Sequence, residues 1–202
     1  MHPASELTVV VPGVCRWKAF SPEHHVELCS HAVAASGRLF VFDPIPLEEP
    51  AFSDLAEAAA PAVVILTNDN HLRDAAAWSA RLRATVWAAP GAALDLPNLH
   101  RLPVDDTVWE GWELYPLPGG PGGEIALYRP ESALAIVGDA LVNLPGATLE
   151  VLPAKYCQDP SQLRRSLRAL APLPFETLLM AHGDPLQPHA AARVAALLAA
   201  PE

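Results

Sequence analysis

Basic residues are scarce in this chain. Thirteen lysines and arginines stand against 23 aspartates and glutamates, a formal net charge of −10. A nucleic-acid binder gathers Lys and Arg on one face. The densest basic stretch, QLRRSLRAL over residues 162–170, has its arginines at helical spacing and reads as a solvated helix face. Nucleic acid is therefore not an expected partner. Cysteine is scarcer still. Cys15, Cys29 and Cys157 are odd in number and far apart, which argues against a disulfide framework and a CxxC zinc site. No apolar run reaches the roughly 18–20 residues that cross a bilayer. The start, MHPASELTVVVPGV, has neither the basic nor the long apolar segment of a secretory leader. These absences predict a cytoplasmic chain that engages no membrane.

What the chain does have is core material. Hydrophobic residues make up 51% of it, enough for one sizeable domain over residues 1–202. The 22 prolines are dispersed and make short, stiff connections. Dense apolar runs predict strands over residues 7–11, 26–34, 38–42, 62–66 and 85–88. Helical periodicity fits 50–59, with Ser53 as a candidate cap, and 70–83, with Trp78 joining the buried face. Alternating strand and helix is the pattern of α/β packing. The middle differs: strands over 112–117, 124–128 and 133–137 are joined by short Gly/Pro turns and predict an antiparallel meander. Helices over 160–170 and 188–200, with a strand over 177–181 between them, complete the chain. The expected class is α/β (α+β), two mixed sheets with helices outside.

One regularity bears on function. Four apolar strands end in polar signatures: FVFDP at Asp43, VILTNDNH at Asn68, AIVGD at Asp139, and LLMAHGDP at His182 to Asp184. Ligands commonly sit beyond strand ends in α/β folds. Each residue also has an ordinary reading. Asp139 fits a turn, and His182 fits a buried histidine bonded to backbone. Asp43 and Asp184 fit loop ordering, and Asn68 and Asn70 fit a turn that caps the next helix. His24, His25 and His31 have no supporting carboxylate pattern. PLPGGPGG lacks the Lys-Ser/Thr of a phosphate loop, so it reads as a flexible turn.

In this order and spacing, VVVPGVCRW, SGRLFVFDPI, ILTNDNH, PLPGGPGGEIALY, AIVGDAL and LLMAHGDPL resemble the metallo-β-lactamase fold superfamily, particularly its glyoxalase II-like branch. The resemblance implies an αββα four-layer sandwich with a metal site at one edge of the sheets. Members hydrolyse esters, thioesters, lactams or phosphodiesters, or carry out redox chemistry, with one or two metals. It also exposes substitutions. The family's T-H-x-H-x-D-H loop, aligned from Thr67, puts ligand positions on Asn68, Asn70, Leu72 and Arg73. The next histidine, in a PGHTPG-like turn, falls on Gly120. Asp139 keeps the bridging aspartate position and His182 the last histidine position, while His71 falls between ligand positions and is expected at the surface or behind the site.

A catalytic zinc takes about three protein ligands plus water. Leu72 offers no donor, and Arg73 is a fixed cation. Without a polarised water the family's hydroxide nucleophile is lost. The leading expectation is a protein with a degenerate metal site, no cofactor, and a ligand-binding or regulatory role through a pocket of Asn68, Asn70, His71, Arg73, Asp139 and His182. Arg73 is expected to replace the metal's charge at Asp139. The rival is a hydrolase with one zinc, iron or manganese ion on His71, Asp139 and His182, helped by Asp69 or Asp74. A third reading is an oligomeric partner protein without a small-molecule site. A small-molecule ligand and a homo-oligomer are both compatible with the sequence.

Overall fold

The computed structural model describes residues 1–58, 61–103 and 108–200. They cluster into two compact units that share the chain non-contiguously. The first takes Met1–Leu66, His71–Ala88 and Leu94–His100, and the second Thr67–Asn70, Ala89–Ala93 and Arg101–Glu202. The class is mixed α/β, as expected.

The first unit is organised by a seven-stranded sheet. Its strands are β1 (Thr8–Val11), β2 (Val14–Ser21), β3 (Val26–Ala35), β4 (Arg38–Phe42), β5 (Ala62–Leu66), β6 (Thr85–Ala88) and β7 (Leu99–Arg101), in that spatial order. Strands β1 to β4 pair antiparallel, while β4, β5 and β6 pair parallel. Helix α1 (Ala51–Ala58) connects β4 to β5, and α2 (Ala75–Leu82) connects β5 to β6. Parallel strands need such crossovers. It also explains the unbroken apolar runs of β4 (RLFVF) and β5 (AVVIL), buried except at their first residues.

The first unit departs from expectation in several places. Strands β2 and β7 were not anticipated, although Cys15 to Ala19 of β2 alternates apolar with charged residues, the pattern of a half-buried strand. Helix α2 is shorter than residues 70–83 suggested: a 3-10 turn, Asp69–His71, precedes it. Ser53 is inside α1 rather than capping it, and donates to Glu49. The expected last residue of that helix, Ala59, lies outside the described residues.

The core of this unit is aromatic. Trp17 of β2 and Trp78 of α2 stack at 5.0 Å, and Phe52 of α1 meets Trp78 at 4.8 Å. Both indole Nε1–H groups donate to the Ile45 carbonyl at 3.1 Å. One buried acceptor thus ties a strand, a loop and a helix together.

The second unit holds the meander. Strands β8 (Glu113–Pro116), β9 (Ile125–Arg129) and β10 (Leu134–Val137) pair antiparallel. A short ribbon follows, β11 (Leu141–Val142) with β12 (Glu150–Val151), then α3 (Pro160–Leu167). Strand β13 (Thr177–Met180) pairs parallel with β10, and α4 (Ala190–Ala199) closes the unit. Helix α3 starts where its sequence says it should. Asp159 accepts from the Gln162 N–H at 2.9 Å, and Pro160 occupies the first turn. Leu163 and Leu167 point into a core with Leu178, Met180 and Val194. Arg164 donates to the Leu197 carbonyl at 3.0 Å, satisfying the end of α4. Among the described residues no helix is long and apolar enough to cross a membrane.

The shared Ile45 acceptor sets an expected mutational pattern. Trp17→Phe and Trp78→Phe each keep a ring in place but remove one donor, and each costs about 1–2 kcal/mol. The double variant leaves the carbonyl without an indole donor. Its loss in urea melts should exceed the sum of the singles by about 1 kcal/mol or more.

Candidate functional site at the strand ends

Strand register alone assembles much of the site. In the second unit Val137 pairs with Met180 in parallel, so two residues further on Asp139 lies beside His182. Val137 also pairs with Ala126 across the antiparallel β9–β10 ladder, which brings the residue before β9, Glu124, to the same edge. The segment Thr67–Asn70 joins them through the Ile125 N–H, which donates to the Thr67 carbonyl at 3.0 Å.

Side chains complete the connection. Asn68 is fully buried, and its Nδ2 donates to Glu124 Oε2 at 2.7 Å and to Asp139 Oδ2 at 3.1 Å. Its Oδ1 accepts from the Asn70 N–H at 2.9 Å. That last bond fixes the amide's orientation, because a backbone donor must meet the oxygen end. Glu124 Oε1 accepts from the Ala140 N–H at 3.0 Å. Asp139 Oδ1 lies 3.1 Å from His182 Nε2. Glu124 and Asp139 are buried, whereas His182 is half-buried and is the more accessible end of this chain of polar groups.

Two glycines leave room for it. A Cβ at Gly120 would stand 3.0 Å from Glu124 Cγ. A Cβ at Gly138 would stand 2.5 Å from Thr67 Oγ1 and 2.9 Å from both Asn68 Nδ2 and Glu124 Oε1. Asp69 anchors the surrounding loops: its N–H donates to the Gly122 carbonyl, and its Oδ1 accepts from the Ala93 N–H, each at 2.8 Å.

Of the other expected residues, Asp43, His71, Arg73 and Asp74 belong to the first unit, and Asn70 and Asp184 to the second. His71 is buried, which removes the surface position, one of the two expected for it, and its Nδ1 lies 3.0 Å from Asp43 Oδ2. Arg73 Nη1 donates to the Cys29 carbonyl at 2.8 Å and the Asp43 carbonyl at 3.0 Å. Asp74 precedes α2 without a side-chain capping bond, and burial raises its carboxyl above the ordinary range. Asn70 is exposed and contributes its backbone N–H. Asp184 is exposed; its carbonyl accepts from Asn143 Nδ2 at 2.9 Å.

Sequence reasoning missed Glu124. It searched the ends of strands, but an antiparallel strand begins where its neighbours finish. The available signal was an acidic residue closing the glycine turn PGGPGG directly before β9.

Residues 8–200 match the family model described as the metallo-beta-lactamase superfamily, and the chain belongs to that superfamily. It is 34% identical over 158 residues to a hydroxyacylglutathione hydrolase of Fuscovulum blasticum, covering 75% of this chain and 59% of that protein. The chain therefore spans about three fifths of that relative's length. Among solved structures it is similar to DIM-1 metallo-β-lactamase, with a TM-score of 0.75 at 14% identity over 96% of this chain and 95% of that one. A metallo-β-lactamase from Pontibacter korlensis gives 0.72 at 14% identity, covering 96% and 98%. At such identities these likenesses show the fold alone.

Cys157 provides a reporter for the carboxylate cluster. Its thiol is pushed up first by burial and then by the negative charge of Glu124. Glu124→Gln removes the second cause, so more thiolate forms at a given pH. Iodoacetamide should then alkylate Cys157 faster than in the unsubstituted protein at pH 8. Cys15, raised by burial alone, serves as the reference whose rate stays constant.

Proposed function

We propose that this member of the metallo-β-lactamase superfamily acts by binding a ligand, or as a regulatory protein, and does not run two-metal hydrolysis. The observation that supports this reading is the orientation of Asn68. Its amide oxygen is engaged by the Asn70 N–H, so its nitrogen end, a donor, faces Glu124 and Asp139. A metal needs lone pairs directed at it, and an N–H donor offers none. The donor set therefore does not fit the two-metal centre that the resemblance implies. Leu72, Arg73 and Gly120 add no ligand atom at the other substituted positions.

In this reading His182 is the group a ligand meets first. Its imidazole is partly exposed, and Asp139 Oδ1 lies 3.1 Å from its Nε2. The carboxylates behind it make the site acidic, which suits a ligand that presents a cation or a hydrogen-bond donor.

The competing reading is a hydrolase with one metal ion on the ligand set expected from the sequence, His71, Asp139 and His182. The adjacency of Asp139 Oδ1 and His182 Nε2 favours it. Elemental analysis and a thioester assay separate the two. The leading reading expects well under one zinc, iron or manganese ion per chain. It also expects no hydrolysis of a hydroxyacylglutathione thioester above background, with or without added zinc. Near one tightly held ion per chain, lost in His182→Ala together with thioester hydrolysis, would establish the competing reading instead.

A further inference from the structure

We propose that Glu124 and Asn68 form a hydrogen-bonded clasp that takes over, without a cation, the task of holding the strand ends of the second unit together. This rests on the reading above that the donor set does not fit the two-metal centre. It adds a residue, Glu124, that no metal-ligand pattern assigns.

Three observations carry it. The first is connectivity. Glu124 precedes β9, yet its Oε1 takes the Ala140 N–H beyond β10, and its Oε2 takes the Asn68 amide beyond β5. Asn68 continues to Asp139, and Asp139 to His182 beyond β13. Four chain segments distant in sequence thus share one polar chain, at distances of 2.7–3.1 Å.

The second observation is space. Gly120 stands where the resemblance puts a histidine, and any side chain there would press on Glu124 Cβ and Cγ at 3.0–3.1 Å. A side chain at 120 would have to share this space with Glu124, whose own side chain would need to give by a few tenths of an ångström. Gly138 makes the same allowance on the opposite side, with Glu124 Oε1 2.9 Å from where its Cβ would be. The slot is thus shaped for Glu124 by both neighbouring turns.

The third observation is chemistry. Two buried carboxylates at one edge need donors. An asparagine amide has two N–H groups and can serve one carboxylate with each. Its orientation is set from behind by the Asn70 N–H.

The test is a double-mutant cycle on the whole chain, Asn68→Ala, Glu124→Gln and both together, followed in urea with excess EDTA and again with added zinc. The clasp predicts that each single variant lowers the urea midpoint clearly. The double variant should lie no more than slightly below the worse single, because the same bond is lost once. It further predicts an unsubstituted protein whose midpoint is the same in EDTA and in zinc. Additive shifts, or a midpoint that falls in EDTA, would overturn the clasp. Additive shifts in a protein that also lacks metal would sink the clasp while leaving the functional reading intact. Stoichiometric metal together with strong Asn68–Glu124 coupling, and a midpoint indifferent to EDTA, would do the reverse.

If Asn68→Ala does not fold, amide exchange in Glu124→Gln gives the answer. The Ala140 N–H loses its charged acceptor whatever the wider arrangement. A clasp must also speed exchange at Asn70 by tenfold or more, because Asn68 loses its anchor. Faster exchange at Ala140 with Asn70 unchanged would count against it.

Discussion

A buried carboxylate must be met by donors, and one edge of the second unit holds two carboxylates, Glu124 and Asp139. Leaving a buried polar group unmet costs about 1–3 kcal/mol, and more for a charge. Much of the local structure follows from that constraint. Asn68 is buried and turned with its nitrogen end toward both acids. The loop after β5 tightens so that the Asn70 N–H can hold the amide oxygen. A Cβ at Gly138 would crowd Thr67, Asn68 and Glu124, and one at Gly120 would lie tight against Glu124.

The first unit solves a similar problem with different groups. Asp43 follows β4 with a left-handed φ of 49°, a conformation that Asp tolerates better than most residues. The turn buries its carboxylate against His71 and directs its carbonyl to Arg73 and to the Ser30 hydroxyl. Ser30 in turn accepts from the Ile45 N–H, and the Ile45 carbonyl takes the two indoles. The polar strand end and the aromatic core are therefore one connected arrangement. A change at Asp43 would be felt as far as Trp17.

Membership in the metallo-β-lactamase superfamily fixes the fold, while chemistry depends on the residues at its strand ends. The relative from Fuscovulum blasticum is a hydroxyacylglutathione hydrolase, and this chain shares its sequence over only part of that protein's length. The sequence resemblance puts the family's ligand positions on Asn68, Asn70, Leu72, Arg73 and Gly120 of this chain. The side chains at that edge meet one another through hydrogen bonds.

The sequence by itself determined the local elements and the order of the polar endings. Apolar runs of four or five residues bounded by turn residues fit buried strands, so β4, β5, β10 and β13 were legible, and Pro160 after Asp159 marked the start of α3. Asn68, Asp139 and His182 stood out because polar residues directly after such runs need partners. Strand β2 carried a signal that was passed over, the alternation of Cys15, Trp17 and Ala19 with Arg16 and Lys18, whereas β7, β11 and β12 are too short to show a pattern. Tertiary structure decided the rest. Whether His71 faced solvent depended on Asp43, 28 residues earlier, being turned toward it at 3.0 Å. That Glu124 belonged to the site depended on β9 running antiparallel to β10, which places a strand's first residue beside its neighbour's last. Sequence spacing carries no record of that register. It is set where the side chains of two strands pack, and so the central acid of the cluster became visible only in the folded chain.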